Sequence, residues 1–130
     1  MRAVDTNMFV FHLVDDRNFG KRASEIVANI DKGEKVFIPL AVFKEILFAL
    51  LKRGKTIQYL INLFSNFNKE NVMIAEDDFI TFMHGLRLAE EYKFSVGDGV
   101  IIATMQKHDV TEIYSNDEDF DKVPGIKRIF

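Results

Sequence analysis

The stretch Val36–Lys52, VFIPLAVFKEILFALLK, limits what this chain can fold into more than any other. Val36-Phe37-Ile38 reads as a short apolar strand that Pro39 ends. Proline suits the first turn of a helix, so Leu40 to Lys52 is predicted as a helix, closed by Gly54. Every residue from Leu40 to Leu51 is apolar except the adjacent pair Lys44-Glu45. A helix of that composition is buried over most of its surface. An ionised Glu45 inside it costs several kcal/mol, as an order of magnitude, unless it is paired or binds a metal. Lys44 is a poor partner, because neighbours in a helix project ~100° apart. Either both charges reach a narrow exposed edge, or Glu45 faces a polar cavity.

The rest of the chain alternates strands and helices. Arg2 to Val4 leads in as a strand. Ala23, Ile26, Val27 and Ile30 fall at helical spacing, with Gly33 as a stop. Ile57, Leu60, Ile61, Phe64 and Phe67 mark an amphipathic helix, and Asn71 to Ala75 a strand. Glu76-Asp77-Asp78 puts negative charge at the start of the next helix, where the macrodipole favours it. That helix is expected to carry Phe79, Phe82, Met83, Leu86 and Ala89 inward. A helix over Gly97 to Lys107, a strand at Glu112 to Ser115, a short acidic turn and a strand at Ile126 to Phe130 complete the order. Strands separated by helices, without hairpin signals, predict an α/β fold on a central parallel sheet of about five short strands.

The 130 residues fit a single domain over 1–130, and 48% hydrophobic content supplies a core. No cysteine is present, which removes disulfides and thiolate metal sites and agrees with a cytoplasmic location. No apolar run approaches the ~18 residues of a membrane span, and the start lacks the apolar region of a signal peptide. The net charge of −3 argues against gripping nucleic acid by bulk positive charge. A nucleic-acid partner would need local basic patches or bound cations.

In an open parallel sheet, ligands bind beyond the carboxyl ends of the strands. Asp5 follows the first strand, Glu45 lies two turns beyond the second, Asp117 follows the fourth, and Asp98 opens the helix leading into it. Each has a plainer role too. Asp5 can cap the helix beginning near Thr6, and Ser95-Val96-Gly97-Asp98 and Ser115-Asn116-Asp117-Glu118 both fit capping boxes. Together they mean more, because carboxylates gathered in one cleft repel one another unless a cation is supplied. All-oxygen ligands suit Mg²⁺ or Mn²⁺. His12, His84 and His108 lack zinc-type spacing and read as surface or satisfied residues. A metal would also let an acidic site hold a phosphate.

The ordered set VDTN at 4–7, the Glu45 helix, SVGDGVIIAT at 95–104, SNDEDF at 115–120 and VPGIKRI at 123–129 resembles the PIN-domain ribonucleases. The likeness is greatest to the VapC-type toxins of prokaryotic toxin–antitoxin pairs, and it spans nearly the whole chain. The family's first acid and its neighbours are met by Asp5, Thr6 and Asn7, and its second acid by Glu45. The third lies in a stretch met by Ser95, Asp98, Ile101, Ala103 and Thr104, the fourth in one met by Ser115, Asp117, Asp119 and Phe120. Gly97 and Gly99 flank the third acid, where many relatives carry alanine at the second position; the pair would loosen a helix start and give room for backbone close to a ligand.

The resemblance implies a PIN-like three-layer fold and metal-dependent endonucleolytic cleavage of RNA, leaving 5′-phosphate and 3′-hydroxyl ends. Asp5, Glu45, Asp98 and Asp117 would hold one or two Mg²⁺ or Mn²⁺ ions, with Asp119 in reserve for Asp117. Thr6, Asn7 and Ser115 would orient the acids. It also implies a homodimer and a small antitoxin partner. Lys52, Arg53 and Lys55, with Arg87, Lys127 and Arg128, are candidate phosphate contacts, though solvated charge explains each one singly. Phe43, Phe48, Phe64 and Phe67 could include a surface patch for self-association or an antitoxin. Two rivals stand beside this reading: a PIN-like binding module without catalysis, against which the four acids argue, and a receiver domain. A receiver needs an acidic pair after its first strand, where only Asp5 stands, and a lysine after its fifth, whereas Lys127 lies inside the last strand.

Overall fold

The computed structural model describes residues 1–130. The elements run β1 (Arg2–Val4), α1 (Thr6–Leu13), α2 (Gly20–Asp31), β2 (Val36–Pro39), α3 (Leu40–Lys52), α4 (Ile57–Ser65), β3 (Val72–Ala75), α5 (Phe79–Tyr92), α6 (Val96–Lys107), β4 (Glu112–Tyr114) and β5 (Lys127–Ile129), with a 3-10 turn over Glu118–Lys122. The five strands form one parallel sheet in the order β3-β2-β1-β4-β5. The chain moves from β1 outward to β2 and β3, then returns past β1 to β4 and β5. Right-handed crossovers therefore set α1–α4 on one face and α5–α6 on the other, the α/β three-layer arrangement expected. This strand order also removes the receiver reading, since that fold runs 2-1-3-4-5.

Register places Ala3 beside both Phe37 and Ile113, and Val4 beside Tyr114. β1 and β2 are buried almost throughout because helices cover both faces, which is why they read as continuous apolar runs. The buried apolar residues form one cluster that includes Ala3, Val4, Met8, Phe37, Ile38, Ile46, Ile101, Ile102, Ile113 and Phe120. α6 lies in the middle of it, with Gly99 through Met105 buried without a break.

α5 corrects the expectation made of it at Phe79 and Phe82, while Ala89 is buried and Met83 and Leu86 half-buried. Its buried positions are Thr81, Gly85, Leu88 and Ala89, while Phe79 is 75% and Phe82 38% exposed. The reason is close helix packing. A Cβ on Gly99 would run into the Gly85 carbonyl oxygen, and one on Gly85 would meet the Val100 backbone at 2.8 Å. Backbone-to-backbone approach through small residues, not the larger apolar stripe, decides which side of α5 faces inward. So Gly99 makes room for a neighbouring helix rather than for a ligand.

The apolar surface is likewise larger than the pattern predicts. Phe48 on α3 is 67% exposed, although most of that helix is buried or half-buried as expected. Ile57 and Ile61 on α4 also face outward. Phe43, Phe64 and Phe67 do not join them: they meet edge to face at 5.1–6.5 Å, and Phe67 packs on Phe9 at 5.1 Å.

The amino ends of the strands are tied by charge. Arg2 Nε donates to Glu112 Oε2 at 3.0 Å, and its Nη1 to the Tyr114 hydroxyl at 2.8 Å and Glu34 Oε1 at 3.2 Å. Every acid in that network has a cation beside it.

Gly99→Ala is expected to destabilise the fold by about 3 kcal/mol, because the group it meets is backbone that cannot rotate away. Urea denaturation monitored by circular dichroism measures this directly.

Candidate metal centre

The carboxyl end of the sheet is built differently. β1 and β4 are the adjacent strands from which the chain departs in opposite directions, so a crevice opens beyond their ends. The next residues are Asp5 and Ser115. The Asp5 N–H donates to the Tyr114 carbonyl at 3.0 Å. Ser115 Oγ donates to Asp5 Oδ2 at 2.8 Å, and the Thr6 N–H to Asp5 Oδ1 at 2.7 Å. Asp5 is only 3% exposed. Its capping bond and its bond to Ser115 use different oxygens, and each oxygen keeps a lone pair for a further partner.

Helix α3 delivers Glu45 to the same place. Thr6 Oγ1 donates to Glu45 Oε2 at 2.7 Å, so one residue anchors two acids, through its amide and through its hydroxyl. Lys44 turns away to Asp77, 3.7 Å distant. The adjacent charges thus part company: Lys44 reaches solvent and Glu45 is half-buried in the crevice. Gly97 makes this possible, since a Cβ there would collide with Glu45 Oε1.

Asp98 enters from the first turn of α6. Its N–H donates to Ser95 Oγ at 3.1 Å, which caps the helix and fixes the carboxylate at its amino end. After β4, Ser115 Oγ also accepts the Asp117 N–H at 3.0 Å, and Asp117 Oδ1 accepts the Asp119 N–H at 2.9 Å. Carboxylate oxygens of Asp98, Asp117 and Asp119 all lie within 4.8 Å of one another. Asp119 therefore stands with Asp117 rather than behind it.

Asp5, Glu45, Asp98 and Asp117 make no ion pair, in contrast to the acids around Arg2. Asp119 alone has a cation, Lys122 Nζ at 2.6 Å. The titration behaviour reflects that crowding. Burial pushes Asp5 up to about 7, helped by the charges of Asp98 and Glu45 and opposed by the bonds from Ser115 and Thr6. Burial likewise raises Asp98 to about 6, with Asp117, Glu45 and Asp119 adding to it. Glu45 is raised by burial against the Thr6 hydroxyl bond. A group of hard oxygen donors that resist ionisation together fits a divalent cation such as Mg²⁺ or Mn²⁺.

The PIN domain family model matches residues 2–126. This chain belongs to the PIN-domain family. No curated protein matches it closely. Among solved structures, the PIN fold here is similar to a toxin–antitoxin complex from Klebsiella pneumoniae, at 22% identity and TM-score 0.65 over 100% of this chain and 97% of that one. It is also similar to VapC20 of Mycobacterium tuberculosis, a sarcin-ricin loop cleaving toxin, at 18% identity and TM-score 0.74 over 93% of each chain. DNA-bound VapBC from Salmonella typhimurium shares 14% identity at TM-score 0.66, over 99% of this chain and 98% of that one.

Asn7 lies at the edge of the site, and the remaining residues singled out in the sequence have contacts of their own. Asn7 bonds Asn116 rather than an acid, at 3.4 Å. Arg53 donates to the Ala49 carbonyl, Lys55 lies over the Tyr59 ring, and Lys52 is exposed. Arg128 is held by Asp121 at 2.7 Å. His12 meets Ser24, and His84 meets Gln106. Lys122 joins the site beyond the residues expected there, and the signal for it is its place three residues after Asp119 in an acidic turn. The room that Gly97 gives is taken up by Glu45.

Because Asp5 and Asp98 are raised in the fold, ionising them costs stability. Without metal, stability from these groups is full below about pH 4 and falls as pH climbs to about 7. Mg²⁺ is therefore expected to raise the melting temperature by about 5 °C or more at pH 8 and by far less at pH 5, measured by calorimetry against EDTA.

Proposed function

We propose that this PIN domain is a Mg²⁺- or Mn²⁺-dependent endoribonuclease and the toxin of a VapBC-type toxin–antitoxin pair. The observation that carries the reading is the convergence of five carboxylates, four of them without an ion-pair partner, where the sheet changes direction. A fold that spends this much unfavourable charge at one place needs a cation to offset it. Support for the biology comes from the comparisons: PIN family membership, a neighbour that is a sarcin-ricin loop cleaving toxin, and others that are toxin–antitoxin complexes.

In this reading Asp98, Asp117 and Asp119 hold the ion, with Asp5 and Glu45 facing it directly or through water. When bound, the metal supplies an activated water and neutralises charge developing on the phosphate. The chain's own groups do the rest. Ser115 and Thr6 hold Asp5 by one hydrogen bond to each oxygen, so its carboxylate cannot rotate. Thr6 orients Glu45 through a single bond from its hydroxyl to Oε2. The acidic rim excludes a bare phosphodiester, so RNA enters only once a cation is in place.

The antitoxin and a second copy of the chain would both find apolar surface. A cleft of about 460 Å³ is lined by Phe9, Leu13, Val27, Leu63, Phe67 and Val72. Phe48, Ile57, Phe79 and Ile80 are each more than half exposed. No helix is long and apolar enough to cross a membrane.

The test is cleavage of RNA with Mg²⁺ or Mn²⁺, repeated with EDTA and with Asp98→Asn and Asp5→Asn. Wild-type cleavage is expected to vanish with EDTA and to fall by roughly 10²-fold or more in each variant. Cleavage that survives chelation or both substitutions overturns the reading. Growth arrest on expression, relieved by a small protein encoded alongside, is the expected result for the toxin role.

A further inference from the structure

Lys122 is the only cation within ion-pair distance of the five carboxylates, with Nζ 2.6 Å from Asp119 Oδ1. Asp119 is also one of three residues whose oxygens lie within 4.8 Å of one another. An ammonium and a metal ion thus draw on the same carboxylate. We infer that Lys122 is an internal counter-ion which competes with the divalent metal for Asp119, so that metal loading displaces its side chain from the crevice. The inference rests on the metal site proposed above, and deepens it by naming what sets the metal concentration at which that site fills.

The turn makes the exchange one of side chains. Phe120 and Val123 are 0% and 3% exposed, and Asp117 caps the turn by accepting the Asp119 N–H. Backbone anchored on both sides of Lys122 stays in place. The lysine itself is exposed, with four rotatable bonds, and can swing to water at little cost. Asp119 and Lys122 are three residues apart, so their contact re-forms locally whenever the metal leaves. The nearby Arg128 cannot take over, because Asp121 holds its guanidinium through two nitrogens.

Mn²⁺ binding to the intact protein, followed by electron paramagnetic resonance without RNA, tests this. Lys122→Gln is expected to bind Mn²⁺ about fivefold more tightly than wild type, since a competing and repelling charge is gone. Lys122→Arg keeps the charge and is expected to remain within about twofold of wild type. The Mg²⁺ concentration giving half-maximal RNA cleavage should fall in parallel for Lys122→Gln. Unchanged or weaker Mn²⁺ binding in Lys122→Gln overturns the inference, as does Lys122→Arg behaving like Lys122→Gln. Mn²⁺ binding that Asp98→Asn abolishes, in a protein that cleaves no RNA, overturns the nuclease reading instead. The competition is then judged on the binding shift alone.

Discussion

The hydrogen bond from Ser115 to Asp5, reaching across the ends of β1 and β4, is the contact on which the rest of the site depends. It joins residues 110 positions apart in sequence and buries a carboxylate almost completely. Such a group is costly unless every lone pair has work to do. Thr6 and Ser115 supply two partners, and the same two residues then position Glu45 and Asp117. Asp5, Glu45, Asp117 and Asp119 are therefore one hydrogen-bonded network laid out from two strand ends, and Asp98 is brought to it separately by the amino end of α6.

The two ends of the sheet show how the fold distributes charge. At the amino ends, Arg2 meets Glu112, Glu34 and Tyr114, and the charges cancel locally. At the carboxyl ends the acids are left in excess, with Lys122 as the single compensating cation. The first pattern holds strands together. The second leaves repulsion that a bound cation would relieve. Net charge of the chain says nothing about this separation, since both ends contribute acids.

Much of the architecture was legible because strands buried on both faces are short apolar runs, and helices begin and end at recognisable residues. Pro39 before α3, Ser95 before α6 and the glycines after α2 and α3 mark boundaries by local chemistry that needs no tertiary context. The inward face of α5 was not legible. An apolar stripe of Phe79, Phe82, Met83, Leu86 and Ala89 looks like a core face, yet Gly85 on α5 and Gly99 on α6 allow a closer approach that turns Phe79 and Phe82 outward while Ala89 stays buried. The exposure of Phe48 is of the same kind: apolarity shows that a surface can be covered, but not by what.

The sequence by itself determined which acids exist, their order, and their places after particular strands or at a helix start. These are local facts, set by strand ends and caps. Only the tertiary structure decided that Asp98, Asp117 and Asp119 come within reach of a single ion, that Asp5 and Glu45 share Thr6, and that Lys44 leaves while Glu45 stays. Those outcomes depend on the strand order that sets β1 beside β4 and on the room left at Gly97. Distances between residues far apart in the chain are fixed by packing, which no local pattern encodes.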